Sequence, residues 1–169
     1  MAIIKVNLGG SLSDAIGSTS ARRWSDAFNS GVELPAGRIS FTDGTGSGKV
    51  NRIAVIDFSI LTTATLTIDL TSGQTDVLGR SLVLTKWKFL YCELDAANSG
   101  DVWIGPMNLS NPVTGFWDGT GATARSRVRQ HFLYSDPVGY TVSGTAKNLG
   151  IYNDTLATVD GKLVIGGEA

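Results

Sequence analysis

The chain has 169 residues, with 14 Lys plus Arg against 15 Asp plus Glu, one His and one Cys. That length suits one ordinary domain, or one domain with a short arm, and buries enough surface to fold without a metal or disulfide staple. Near-neutral charge argues against a general attraction to nucleic acid, and the single cysteine excludes an intrachain disulfide framework.

The composition favours strands. Only 17% of residues are charged, Gly numbers 21, and β-branched residues punctuated by Gly and Asn replace the Ala, Leu, Glu and Lys of helical proteins. Met1-Ala2-Ile3-Ile4-Lys5 does not read as a secretory leader. The longest apolar runs are broken by Asp, Thr or Lys well short of a membrane span, so no membrane partner is expected.

In chain order, residues 1–36 read as an N-terminal arm and 37–169 as an all-β domain. Within the arm, residues 3–8 suit a strand and 9–20 a small-residue linker. Residues 20–28 suit a small helix capped by Ser20, with Trp24, Ala27 and Phe28 on one face. Residues 38–42 suit a short strand, and the glycines of 43–48 a turn. A long apolar run over 50–61 comes next. The cleanest alternation follows: Leu66, Ile68 and Leu70 point one way, Thr65, Thr67 and Asp69 the other, as in a half-buried strand.

Beyond a turn at Gly79-Arg80, residues 81–94 read as one long strand. Trp87, Phe89 and Tyr91 share one face, and Leu84, Leu90 and Cys92 the other. Apolar groups on both faces imply a central strand or one covered by a partner; Lys86 and Lys88 imply partial exposure. Cys92 is expected to be a small buried hydrophobe. Further strands are expected at 101–104, where Trp103 is assigned to the core, and at 125–134, 139–142, 149–153 and 162–165. Nine or ten strands at turn-punctuated intervals predict an antiparallel β-sandwich, jelly-roll-like if eight are main strands.

The residues of chemical interest point away from catalysis. The run Asp43-Gly44-Thr45-Gly46-Ser47-Gly48-Lys49-Val50 resembles a phosphate-binding loop, but Asp43 stands where the first Gly belongs and Val50 where the magnesium-binding Ser or Thr belongs. A Gly-rich hairpin turn is expected instead. His131 is the one candidate base, yet no nucleophile elbow or cysteine motif accompanies it. One His and one Cys do not make a zinc site, and Asp118-Gly119-Thr120-Gly121 lacks the ligand spacing of a calcium loop. No enzyme activity, cofactor or metal is expected.

Two features suggest binding. On one strand, Arg125, Arg127, Arg129 and His131 would share a face, as the solvated side of an edge strand or as a dock for an acidic protein surface; nucleic acid is a weaker third reading, opposed by the neutral totals and the lack of adjacent stacking aromatics. Phe116 and Trp117 sit in the Gly-flanked loop Gly115-Phe116-Trp117-Asp118-Gly119. There they cap one end of the sandwich, anchor an interface, or stack on sugar.

The order of several short motifs adds a resemblance. Thr65-Leu66-Thr67-Ile68-Asp69-Leu70, then Asp76-Val77-Leu78-Gly79, then Thr85-Lys86-Trp87-Lys88-Phe89-Leu90-Tyr91 begin it. Val102-Trp103-Ile104-Gly105, Asn111-Pro112-Val113-Thr114-Gly115, Tyr140-Thr141-Val142 and Leu163-Val164-Ile165-Gly166 continue it. Over roughly residues 40–166 the chain resembles a family of small tailed-bacteriophage virion proteins, the cement or decoration proteins of the capsid. Where that family often carries Arg-Pro-Gly-Gly, this sequence has Arg127-Val128-Arg129-Gln130.

The resemblance implies a non-enzymatic β-sandwich bound to the outside of a phage head, commonly as a homotrimer. Its partners would be the major capsid protein and further copies of itself; it would be made in the host bacterial cytoplasm and end in the virion. The candidate contact residues are Arg22, Arg23, Trp24 and Phe28 in the arm, with Arg125, Arg127, Arg129, Phe116 and Trp117 in the domain. The alternatives are a receptor- or carbohydrate-binding module of a fibre or tail, and another head–tail structural component.

Overall fold

The computed structural model describes residues 4–7, 11–14, 39–97, 100–117 and 124–169. The described residues form strands and no helix. The short strands come first: β1 (Ile4–Asn7), β2 (Ser11–Asp14), β3 (Ile39–Ser40), β4 (Thr42–Asp43) and β5 (Lys49–Val50). Then come β6 (Arg52–Ile60), β7 (Thr65–Asp69), β8 (Lys86–Leu94), β9 (Val102–Gly105), β10 (Ser126–Val128), β11 (His131–Thr141), β12 (Asn148–Asn153) and β13 (Val159–Glu168).

β6 to β13 build two four-stranded antiparallel sheets, a first sheet ordered β10-β9-β12-β7 and a second ordered β11-β8-β13-β6. The chain crosses between sheets at nearly every connection, so sequence neighbours such as β6 and β7 face each other across the core. Eight strands in this order form a jelly-roll sandwich, the architecture expected from alternation and turn spacing. The described connecting residues 61–64, 95–97, 100–101, 129–130 and 154–158 gather at one end, called here the near end.

Between the sheets lies one core. Ile68, Leu70, Val102, Ile104, Val128 and Ile151 come from the first sheet and its flanks; Ala54, Phe58, Leu90, Cys92, Leu163 and Ile165 come from the second. A second apolar cluster lies on the outer face of the second sheet, where Ile53, Phe89, Tyr91 and Val164 pack with Phe41 and Val50. The Phe41 ring stacks on Phe89 with centroids 5.5 Å apart. β8 is thus central in its sheet and apolar on both faces.

Several expectations are corrected. Within the expected 9–20 linker, Ser11–Asp14 is a strand paired antiparallel with β1, and β1 also pairs with β3. The expected helix at 20–28 lies outside the described residues. The strand expected over 81–94 begins only at Lys86, since Leu82 and Leu84 are used up in loop hydrogen bonds to Gln74 and Leu70. The strand expected over 125–134 breaks at Arg129-Gln130, where the chain passes from the first sheet to the second.

The face assignment of β8 is corrected as well. Phe89 pairs with Gly166 and Trp87 with Gly167, so Lys88 is an extra residue opposite β13. A bulge of this kind shifts the alternation by one. Trp87 therefore joins Leu90 and Cys92 in the central core, while Phe89 and Tyr91 face outward. Lys88 is fully buried instead of partly exposed.

That burial organises the Gly-rich segment. The Lys88 ammonium donates to the carbonyls of Gly46 and Lys49 and to the Glu168 carboxylate. The Gly46 amide donates to the same carboxylate at 2.6 Å. Gly139 adopts φ +78° beside this lysine; a Cβ there would lie 2.6 Å from Lys88 Cγ. Residues 42–50 are not a hairpin: β4 and β5 pair in parallel, and the Lys88 ammonium binds the Gly46 and Lys49 carbonyls of the segment that joins and ends them.

Candidate interaction surface

β9 positions the principal group. Val102 and Ile104 are buried in the core, so alternation turns Trp103 to the outer face of the first sheet. Across the sheet, Trp103 is paired with Arg127 on β10 and with Tyr152 on β12, and Tyr152 with Thr65 on β7. The expectation that Trp103 belongs to the core is corrected by this register. The signal was present in the sequence, because its two neighbours are the inward-facing pair.

The three arginines converge on this tryptophan and one carboxylate. Arg125 lies over the Trp103 ring with its guanidinium carbon 4.2 Å from the centroid, and Arg127 stands at 5.7 Å. Such cation–π contacts hold a flat guanidinium against the ring. Arg127 pairs with Asp101 at 2.7 Å, and Arg129 reaches the same carboxylate at 3.8 Å with its side chain 76% exposed. The Trp103 indole donates to Asp154 Oδ2 at 2.6 Å. Arg125, Trp103, Arg127, Asp101, Arg129 and Asp154 therefore form one continuous patch beside the near end. His131, expected on the same face, lies on the other sheet opposite Glu93.

The loop aromatics have a different setting. Trp117 is buried, stacked on Trp87 with centroids 5.9 Å apart, and its indole donates to Ser126 Oγ at 3.1 Å. Phe116 lies over Tyr134 at 4.0 Å and stays at the rim. Together they close the gap between edge strands β10 and β11. The Tyr134 and Tyr140 hydroxyls are 2.5 Å apart; burial, with the Tyr140 hydroxyl, raises the Tyr134 phenol pKa above its ordinary value. Arg22, Arg23, Trp24 and Phe28 lie outside the described residues.

Polar clusters elsewhere serve the fold. Asp76, buried, accepts from the Leu78 and Arg80 amides at 3.0 and 2.8 Å and from Arg80 Nε at 2.7 Å, which shapes the 76–80 turn. Asp69 accepts from Lys147 and Thr71; burial raises its pKa, but these donors outweigh it and hold the carboxyl at about 2. Among the described residues no three His, Cys, Asp or Glu side chains are grouped to hold a metal ion.

No family model matches the chain. No curated protein matches it significantly.

Proposed function

We propose that this chain is a structural virion protein that binds the outer surface of a tailed-phage head as a homo-oligomer and stabilises the shell by bridging capsid subunits. The observation that carries the reading is the Arg125–Trp103–Arg127 patch. An aromatic ring flanked by arginines, on a rigid sheet face, has the composition of protein–protein hot spots. The jelly-roll frame suits this role, since its filled core holds the patch in a fixed shape, and the ordered motifs over residues 40–166 add the family resemblance.

The mechanism is thermodynamic linkage. A protein that binds the assembled shell and not its free subunits shifts the equilibrium toward the intact particle. Many copies, each making a modest contact, add through multivalency. The carbohydrate-binding alternative has less to stand on, because Trp117 is buried and Arg125 covers the Trp103 ring that would have to stack on sugar.

The test is co-sedimentation of the purified chain with heads that lack it, followed by heating of the decorated particles. Saturable binding and a raised disruption temperature are expected, and Trp103→Ala should weaken binding while leaving the fold intact. Failure to sediment with heads at micromolar concentration would overturn the proposal.

A further inference from the structure

Two leucines at the near end are exposed on turns that hydrogen bonds hold in place. Leu61 and Leu156 are 68% and 97% exposed. Asn153, buried, fixes the turn that carries Leu156. Its Nδ2 donates to the Ile60 and Ala157 carbonyls at 2.8 Å each, and its Oδ1 accepts from the Thr155 amide and hydroxyl at 2.9 and 2.7 Å. Thr62 Oγ1 donates to the Thr155 carbonyl at 2.8 Å, which ties the 61–64 turn to this one. Within 61–64, Thr63 adopts φ +57°, a left-handed conformation that β-branched residues rarely take. Backbone strain of this kind gathers at binding sites. An apolar side chain presented on a fixed turn also binds without an ordering cost.

This tip is continuous with the arginine–tryptophan patch. Asp154, beside Asn153, accepts from the Trp103 indole, and Thr155 packs on Gly100, where a Cβ would lie 2.6 Å from its side chain. The charge of the patch is unbalanced, since the guanidiniums of Arg125, Arg127 and Arg129 face the carboxylates of Asp101 and Asp154 alone. Arg127 takes Asp101 at 2.7 Å, whereas Arg129 only approaches it at 3.8 Å. Arg125, held over the Trp103 ring, makes no ion pair among the described residues. The excess positive charge therefore rests on Arg125 and Arg129. On the second-sheet side of the tip the exposed carboxylates of Asp57 and Asp95 stand instead.

We propose that the tip and the patch form one recognition surface for an acidic protein segment that carries apolar side chains. Its carboxylates pair with Arg125 and Arg129, whose planar forks suit carboxylate oxygens, and its apolar side chains cover Leu61 and Leu156. Asp57 and Asp95 repel such a segment from the second sheet, so it lies toward the first. A bilayer is a poorer occupant, because two leucines offer too little apolar surface for stable anchoring. The inference deepens the function proposed above: it rests on the assignment of the patch to protein contact and names the chemistry of the partner, whether or not that partner is a capsid.

The test is binding of the full chain to a labelled synthetic peptide alternating Glu and Leu, compared with the same peptide carrying Gln for Glu. The wild type should bind the Glu peptide about tenfold more tightly, and the preference should shrink as salt rises. Arg125→Gln should abolish most of the preference, and Arg125→Lys, which keeps the charge but not the fork, should restore only part of it. Leu156→Ser should weaken both peptides about tenfold. Equal affinity of the wild type for the two peptides overturns the proposal. So does wild-type binding by Arg125→Gln or Leu156→Ser, or a preference for anionic phospholipid vesicles over the Glu peptide. Multimers that Leu156→Ser dissociates would make a second copy the occupant and overturn it too. Head binding is scored in parallel. Heads that bind the wild type, Arg125→Gln and Leu156→Ser alike overturn this surface and leave the capsid reading standing. Peptide discrimination without head binding supports the surface and overturns the capsid reading.

Discussion

Lys88 and Glu168 form an ion pair inside the protein, the lysine side chain fully buried and the glutamate side chain 10% exposed. The pair joins the bulge of β8 to the last residue of β13 and holds the loop at Gly46 between them. Every donor of the ammonium is occupied, which is the condition under which a buried charge is tolerated.

Replacing Lys88 by Met would take the ammonium from the Glu168 carboxylate and from the Gly46 and Lys49 carbonyls, leaving the buried carboxylate with the Gly46 amide. Loss of one partner of a buried pair costs about 3–5 kcal/mol. Lys88→Met should lower the urea midpoint accordingly, and proteolysis should cut first in the segment 43–49. An unchanged midpoint would show that the pair contributes little.

The same pair imposes a pH dependence. The Lys88 ammonium, with the Gly46 amide behind it, holds the Glu168 carboxyl below its ordinary 4.5 despite the opposing effect of burial. A carboxyl whose folded pKa is depressed contributes stability that is fully present above its unfolded value and is lost as pH falls through the folded one. Asp69, held at about 2, acts in the same direction. Stability to urea should therefore be level near neutrality and fall below about pH 4.5, with Glu168→Gln flattening part of that fall. A wild-type profile unchanged down to pH 3 would contradict the assignment.

Cys92 lies in the central core, and burial, aided by Glu93, pushes its thiol up to about 12. Only the thiolate attacks disulfide reagents. The native protein should thus resist labelling by an aromatic disulfide at neutral pH, and labelling should accelerate in step with unfolding in urea. Rapid labelling without denaturant would place Cys92 at an opening edge of the sandwich.

Gly115 has φ +117°, and a Cβ there would fall within the Tyr140 ring. Both the backbone conformation and the close approach call for glycine. Gly115→Ala should cost about 1–3 kcal/mol by overpacking and should lift the Phe116–Trp117 cover. Loss of near-ultraviolet dichroism from the stacked Trp87 and Trp117 would report it, with far-ultraviolet strand signal retained.

Much of the architecture is written in local order. The alternation of Leu66, Ile68 and Leu70 with Thr65, Thr67 and Asp69 specifies a half-buried strand by itself, because side-chain direction in a strand depends only on parity. The paired inward residues Val102 and Ile104 specify an outward Trp103 by the same rule, and the turn around Asp76 and Gly79 is legible from its residue types. Turn spacing and β-branched composition together carry the sandwich.

Other features depended on pairing between distant segments. The extra residue at Lys88 exists only because Gly166 and Gly167 of β13 meet β8 in that register, and it reverses the facing of Trp87 relative to Phe89. The break at Arg129-Gln130 arises because one stretch supplies the edge of two different sheets, so His131 parts from the arginines. Arg125, Trp103, Asp101 and Asp154 come from separate connections and strands and meet only once the sheets are ordered. A sequence states the parity of each strand, but register, bulges and the neighbours of a surface side chain are set by contacts between residues far apart in the chain, and these only the tertiary structure decides.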